Sequence, residues 1–130
     1  MNKATGKITV RRVVCAHDCG LVVNPDGLRN QVEGNIMQTL SRTLHEEVTF
    51  DKARVTSTDW ASYPLLTFPE VPAVQVALID RPGQPAYGAG EAASAPVAAA
   101  LGNAIFDATG VRLRTVPFTA ERVKAAFAKA

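Results

Sequence analysis

Asn24-Pro25, followed by Leu28, Val32, Ile36, Leu40 and Leu44, constrains this chain more than any other feature. At about 100° per residue, an apolar residue every fourth position makes one slowly drifting stripe along some five helical turns, and that face has to be buried against something. Asn24 is suited to cap the free amide groups at the helix start. Pro25 suits the first helical position, where its missing N–H costs nothing. On the same wheel Gln31, Asn35, Gln38 and Arg42 fall within about 60° of one another beside the stripe. They form a ribbon of polar groups that a polar ligand can use.

Shorter elements surround this helix. Valine-rich Ile8 to Ala16 reads as a strand stopped by the turn His17-Asp18-Cys19-Gly20, and Ala73 to Ile79 reads as another. Glu47 to Ser57 suggests a hairpin. Residues 59–72 hold Trp60, Tyr63, Phe68 and three prolines, which predicts an irregular packed crossing. An alanine-rich helix is expected from Pro96 to Ala108, with Val97, Leu101, Ile105 and Ala108 on one face and Gly110 as its C-terminal cap. A short strand at Arg112 to Val116 and a last helix from Ala120, capped by Thr119, complete the reading. Strands alternate with helices, so the fold class is α/β (α+β): a mixed sheet packed by one long and one alanine-rich helix, in a single domain or fragment spanning 1–130.

Charge excludes several functions. The net charge is +2, with six basic and three acidic groups in residues 1–45, three and seven in 46–91, and five and two in 101–130. No stretch is polybasic, so neither nucleic acid nor an anionic membrane is an expected partner. No run of 18 apolar residues occurs, and Met1 to Lys7 is polar and leads into a strand-like segment. A cytoplasmic location is expected, with a periplasmic one open for a complete enzyme whose export signal lies elsewhere. Cys15 and Cys19 are expected as reduced thiols. With His17, Asp18 and the remote His45 they make a poor structural zinc set, and no metal ligand is assigned. His45, ending the long helix, is placed to interact with the helix carbonyls.

Gly88-Ala89-Gly90-Glu91 is the most informative tetrad. Two glycines around one small residue allow unusual backbone angles and close approach to a bulky ligand, with a carboxylate just before a helix. A plain glycine elbow has the same pattern. A dinucleotide fingerprint does not fit, because Ile79 and Gly88 are too far apart for the strand-to-helix turn it needs. A phosphate loop lacks its lysine and hydroxyl, and a hydrolase lacks a nucleophile elbow.

Val14-Cys15-Ala16-His17-Asp18-Cys19-Gly20, Val23-Asn24-Pro25, Gln31-Val32-Glu33-Gly34, Gly88-Ala89-Gly90-Glu91 and Asn103 to Gly110 occur in this order. Together they resemble the C-terminal end of the molybdenum-binding subunit of the xanthine dehydrogenase and aldehyde oxidase family, of the isoquinoline oxidoreductase or membrane-bound aldehyde dehydrogenase type. The resemblance covers essentially the whole chain. It implies a molybdenum hydroxylase that oxidises a small aldehyde or N-heterocycle with water as the oxygen source. Glu91 falls on the catalytic base, Gln31 on a glutamine at the cofactor, and Gly88, Ala89 and Gly90 on the cofactor-binding loop. A base of this kind benefits from burial that raises its proton affinity. Asn30 stands where relatives often have glycine, and Ala92-Ala93 replaces a proline-containing continuation. The implied cofactor is molybdenum-molybdopterin, in the cytosine dinucleotide form, with iron–sulfur clusters and flavin or haem on partner subunits.

Subunits of that family run to several hundred residues, so the resemblance implies a C-terminal fragment or one piece of a split subunit, inactive by itself. Its partners would be the remainder of the molybdenum subunit and an iron–sulfur subunit, and the isolated chain is expected to self-associate or to show an exposed apolar patch. The alternative is a non-catalytic α/β domain used for subunit assembly.

Overall fold

Asn24 caps the long helix as its side chain dictates, accepting the Gly27 N–H at 2.9 Å, and α1 then runs over Pro25–Leu44. The computed structural model describes residues 1–128. All five stripe residues are buried, with Val32 and Ile36 sealed almost completely from solvent. Each such side chain contributes about 2 kcal/mol of transfer free energy. Alternation does the same work in the strands. β1 (Arg12–Asp18) and β2 (Ala73–Ile79) pair in parallel, from Arg12 beside Ala73 to Asp18 beside Ile79. Val13, Cys15, Val74, Val76 and Leu78 pack onto the core built by α1, and the intervening residues are exposed.

The alanine-rich helix α2 covers Val97–Thr109 and buries Val97, Leu101, Gly102 and Ile105. Ala108, expected on the same face, is exposed. Gly110 ends the helix at φ 74° and returns its N–H to Phe106 O at 2.7 Å, a left-handed cap that glycine adopts without a side-chain clash. Helix α3 (Ala120–Phe127) starts where Thr119 accepts the Arg122 N–H, and it presses Val123 fully into the core. Phe118, buried just before it, donates its N–H to Thr43 O at 2.6 Å. The crossing at 59–72 is irregular, with a single 3-10 turn at Phe68–Glu70.

The remaining expectations meet the structure in different ways. Arg112 to Val116 forms no strand. Arg112 instead lies 4.0 Å over the Phe106 ring and donates to Asn103 Oδ1 at 2.6 Å, so α2 claims the segment's side chain and no neighbouring strand competes. The hairpin at 47–57 forms but stays short: Phe50 bridges Val55, Asp51 N–H donates to Arg54 O at 3.0 Å and Thr56 N–H to Thr49 O at 2.8 Å, and with both faces in water nothing rewards a longer ladder. The first strand begins at Arg12, later than Ile8. The main-chain N–H of His45 donates to the helix carbonyl of Ser41 at 2.9 Å, but its imidazole, expected at the helix carbonyls, instead turns Nε2 to Glu70 Oε1 at 3.5 Å. No helix among the described residues is long and apolar enough to cross a membrane.

Candidate functional site

The site is assembled from the turn that ends β1. Gly20 sits at φ 78°, and a Cβ there would come 2.0 Å from Pro85 O, so only glycine fits both the backbone angle and the approach of the following loop. Gly20 O accepts the Arg81 N–H at 3.0 Å and Cys19 O accepts the Tyr87 N–H at 2.8 Å. Asp18 reinforces the turn by accepting from the Gly20 N–H at 3.1 Å and pairing with Arg81 Nε at 2.5 Å. These contacts, the Arg81 hydrogen bond foremost and then the Gly20 N–H, hold the Asp18 carboxyl below its usual range. Asp80 takes the Val22 N–H at 2.9 Å. The chain after β2 is thereby tied along the end of the sheet before it reaches Gly88.

From there Gly88 to Glu91 crosses α1 at Asn35. The Asn35 amide is buried, donates to Gly90 O at 2.7 Å and to Gln31 O at 2.5 Å, and accepts the Ser94 hydroxyl at 2.5 Å. Every polar atom of that side chain is therefore engaged, and the loop is clamped to the helix. Gln31 lies beside the same carbonyl, with Nε2 donating to Gly90 O at 3.4 Å, and its residue is exposed. Glu91 precedes a 3-10 turn (Ala92–Ser94), and its exposed carboxylate caps nothing. The burial that a neutral-pH base uses is thus not supplied by this chain. Gly88 and Gly90 do not take positive φ, so the unusual backbone angles expected for these glycines are not used. A Cβ on Gly88 would meet nothing within 4 Å. Among the described residues, the N–H groups of Gly88, Ala89, Gly90 and Glu91 donate to no acceptor.

The amide ribbon divides. Gln31 and Asn35 meet the glycine loop, whereas Gln38 and Arg42 line a cavity with Tyr63, Leu66 and Phe68 on the crossing. Asn35 and Ser94 as a clamp lie beyond the reach of a single sequence. The ribbon points to Asn35, but only the fold shows which loop it holds. Cys15 and Cys19 are free thiols, and among the described residues no three His, Cys, Asp or Glu side chains gather as a metal would require.

The family model for the molybdopterin cofactor-binding domain matches residues 1–72. The chain belongs to the molybdopterin cofactor-binding domain family. It is 52% identical over 126 residues to a nicotinate dehydrogenase subunit of Pseudomonas putida, covering 97% of this chain and 11% of that protein. It is 34% identical to the β subunit of isoquinoline 1-oxidoreductase of Brevundimonas diminuta, covering 89% and 15%. The aldehyde oxidoreductase of Desulfovibrio gigas superposes with a TM-score of 0.86 at 28% identity, over 98% of this chain and 14% of that one. The chain thus spans about a ninth to a seventh of these relatives.

For a molybdopterin domain the donor set has a direct meaning. Four main-chain N–H groups without an acceptor lie in the loop held beside the exposed Gln31, and such donors suit the oxygen-rich pterin and phosphate groups of that cofactor. The open space over Gly88 admits a bulky group against the backbone. The chemistry of these donors is compatible with that group.

Proposed function

We propose that this chain is the C-terminal, cofactor-contacting segment of a molybdenum hydroxylase subunit and carries its catalytic base. The observation that supports this reading is the clamp at Asn35, which puts the exposed Gln31 amide and the Gly88–Glu91 backbone on one surface. Gln31 and the N–H groups of Gly88, Ala89 and Gly90 bind the molybdopterin cofactor, in its cytosine dinucleotide form. When bound, that cofactor supplies the two-electron oxidation. Glu91 accepts the proton from the water-derived nucleophile, and its carboxylate becomes effective once the remainder of the subunit closes over it and excludes solvent. The substrate is a small N-heteroaromatic compound, a preference drawn from the 52% identity to a protein named nicotinate dehydrogenase, with an aldehyde as the runner-up. Electrons leave through an iron–sulfur subunit and a flavin or haem group.

Glu91→Gln and Gln31→Ala in the assembled enzyme test this reading. Glu91→Gln keeps shape while removing the basic oxygen, so molybdenum content stays near wild type and the reductive half-reaction slows by about 10²- to 10⁴-fold. Gln31→Ala lowers cofactor retention first. A Glu91→Gln enzyme retaining more than about a tenth of the wild-type rate would favour the second reading, a non-catalytic assembly domain. That reading draws on the exposed aromatics Trp60 and Phe68, which are 78% and 93% accessible.

A further inference from the structure

The two edges of the sheet are unequal. Ala73 donates its N–H to Arg11 O at 3.1 Å, which sets the parity of the parallel pair. Ala73, Gln75, Ala77 and Ile79 turn their peptide groups toward β1, and Val74, Val76 and Leu78 turn theirs away. On β1 the same geometry points Val13, Cys15 and His17 at β2 and leaves the N–H and C=O groups of Arg12, Val14, Ala16 and Asp18 facing outward. The outer edge of β2 is guarded. Its outward groups belong to residues tucked against the core, and Arg29 reaches from α1 to donate to Val76 O at 2.8 Å. Charged side chains of this kind block strand addition. Along the outer edge of β1 no charged side chain reaches a main-chain group in this way: Arg12 and Asp18 stand only at its two ends, the Cys15 thiol lies a weak 3.8 Å from Ala16 O, Val14 is 61% accessible, and no third strand is present among the described residues.

Parallel sheets are found with both faces covered and with more than two strands, since a two-stranded ribbon is marginal in water. Here one face carries exposed Val14, Ala16, Ala77 and Ile79. The chain spans only 11% and 15% of two relatives, so most of a subunit of that kind lies outside it and is available to complete the sheet.

We propose that the free edge of β1 receives a β-strand from the remainder of the molybdenum subunit, hydrogen-bonding to the peptide groups of Val14, Ala16 and their outward-facing neighbours. This rests on the reading of the chain as a segment of such a subunit, but not on the role of Glu91. The test reads amide exchange rather than turnover, so it stands or falls separately from the Glu91→Gln experiment.

Hydrogen–deuterium exchange at single-residue resolution on the assembled enzyme is the direct measurement. The Val14 and Ala16 amides are expected to exchange on the order of 100-fold or more slowly than in an unstructured peptide. Exchange at peptide rates there, with Val13 and Cys15 still protected by β2, overturns the proposal. Val14→Pro is the second arm. It removes an outward N–H, a change a free edge tolerates, while a paired strand does not. Recovery of assembled enzyme is expected to fall about tenfold or more, and wild-type recovery counts against the proposal. Protection of Val14 and Ala16 that develops in the chain alone, rises with its concentration and tracks a dimer by sedimentation identifies a second copy as the occupant and also overturns it.

Discussion

Asn35→Ala is the most informative perturbation of the site. The side chain makes three hydrogen bonds, to Gly90 O, Gln31 O and from Ser94 Oγ, while buried. At about 1 kcal/mol net for each, their loss costs about 3 kcal/mol. Alanine recovers about 0.6 kcal/mol of helix propensity in the middle of α1, and water reaches the exposed Gly90 carbonyl once the loop lifts. A net destabilisation of about 2 kcal/mol remains. For a domain of this length that lowers the thermal midpoint by about 6–10 °C. Scanning calorimetry of Asn35→Ala, Ser94→Ala and the double variant separates the clamp from general packing. Ser94→Ala alone should cost about 1 kcal/mol, and the two changes should couple by about 1 kcal/mol because they share a bond. Limited proteolysis should show faster cutting between residues 86 and 92. A midpoint within about 2 °C of wild type, or strict additivity of the two substitutions, would refute the clamp.

Three further outcomes are expected. Gly20→Ala should destabilise the chain and free the 81–87 loop, since the new Cβ meets Pro85 O at 2.0 Å with φ at 78°; unchanged exchange of the Arg81 and Tyr87 amides would contradict this. Asp18 has its folded pKa lowered by Arg81, so the stability it lends is present above the unfolded value near pH 4 and disappears as the pH falls further. Arg81→Ala should flatten the acid limb of a stability-against-pH curve below about pH 4, and an identical limb would count against the pairing. Trp60 is the sole tryptophan and 78% exposed, so acrylamide should quench it freely in the chain alone and weakly in the assembled enzyme; equal quenching in both would remove it from any interface.

Legibility in the sequence follows the range of the interactions. Asn24, Pro25, Gly110 and Thr119 act on their own helix ends, so their identities announce the boundaries of α1, α2 and α3, and the four-residue stripe announces the core. Ala73 to Ile79 is equally plain, with its strand composition bounded by Pro72 and Asp80. Arg112 to Val116 misleads because a strand requires a partner, and its arginine finds Asn103 and Phe106 instead. Within the site, Gln31 and Gly88 to Glu91 can be nominated by motif. The contact between Asn35 and Gly90, 55 positions apart, depends on how the loop returns over the helix, which local propensity does not encode.

The turn at Gly20 has a practical consequence. Arg81 is held by Gly20 O and Tyr87 by Cys19 O, so the stretch 82–86 is an excursion stapled shut at its base. All of its residues are exposed. Pro85 O packs on Gly20, but the length of the 82–84 tip is uncoupled from the placement of Gly88 to Glu91, because changes made there need not propagate past the staples. That makes the 82–84 tip a port for engineering: a short affinity tag, a fluorophore or a spin label inserted there would ride on the molecule within a few residues of the glycine loop while leaving the spacing of Gln31, Asn35 and Glu91 undisturbed.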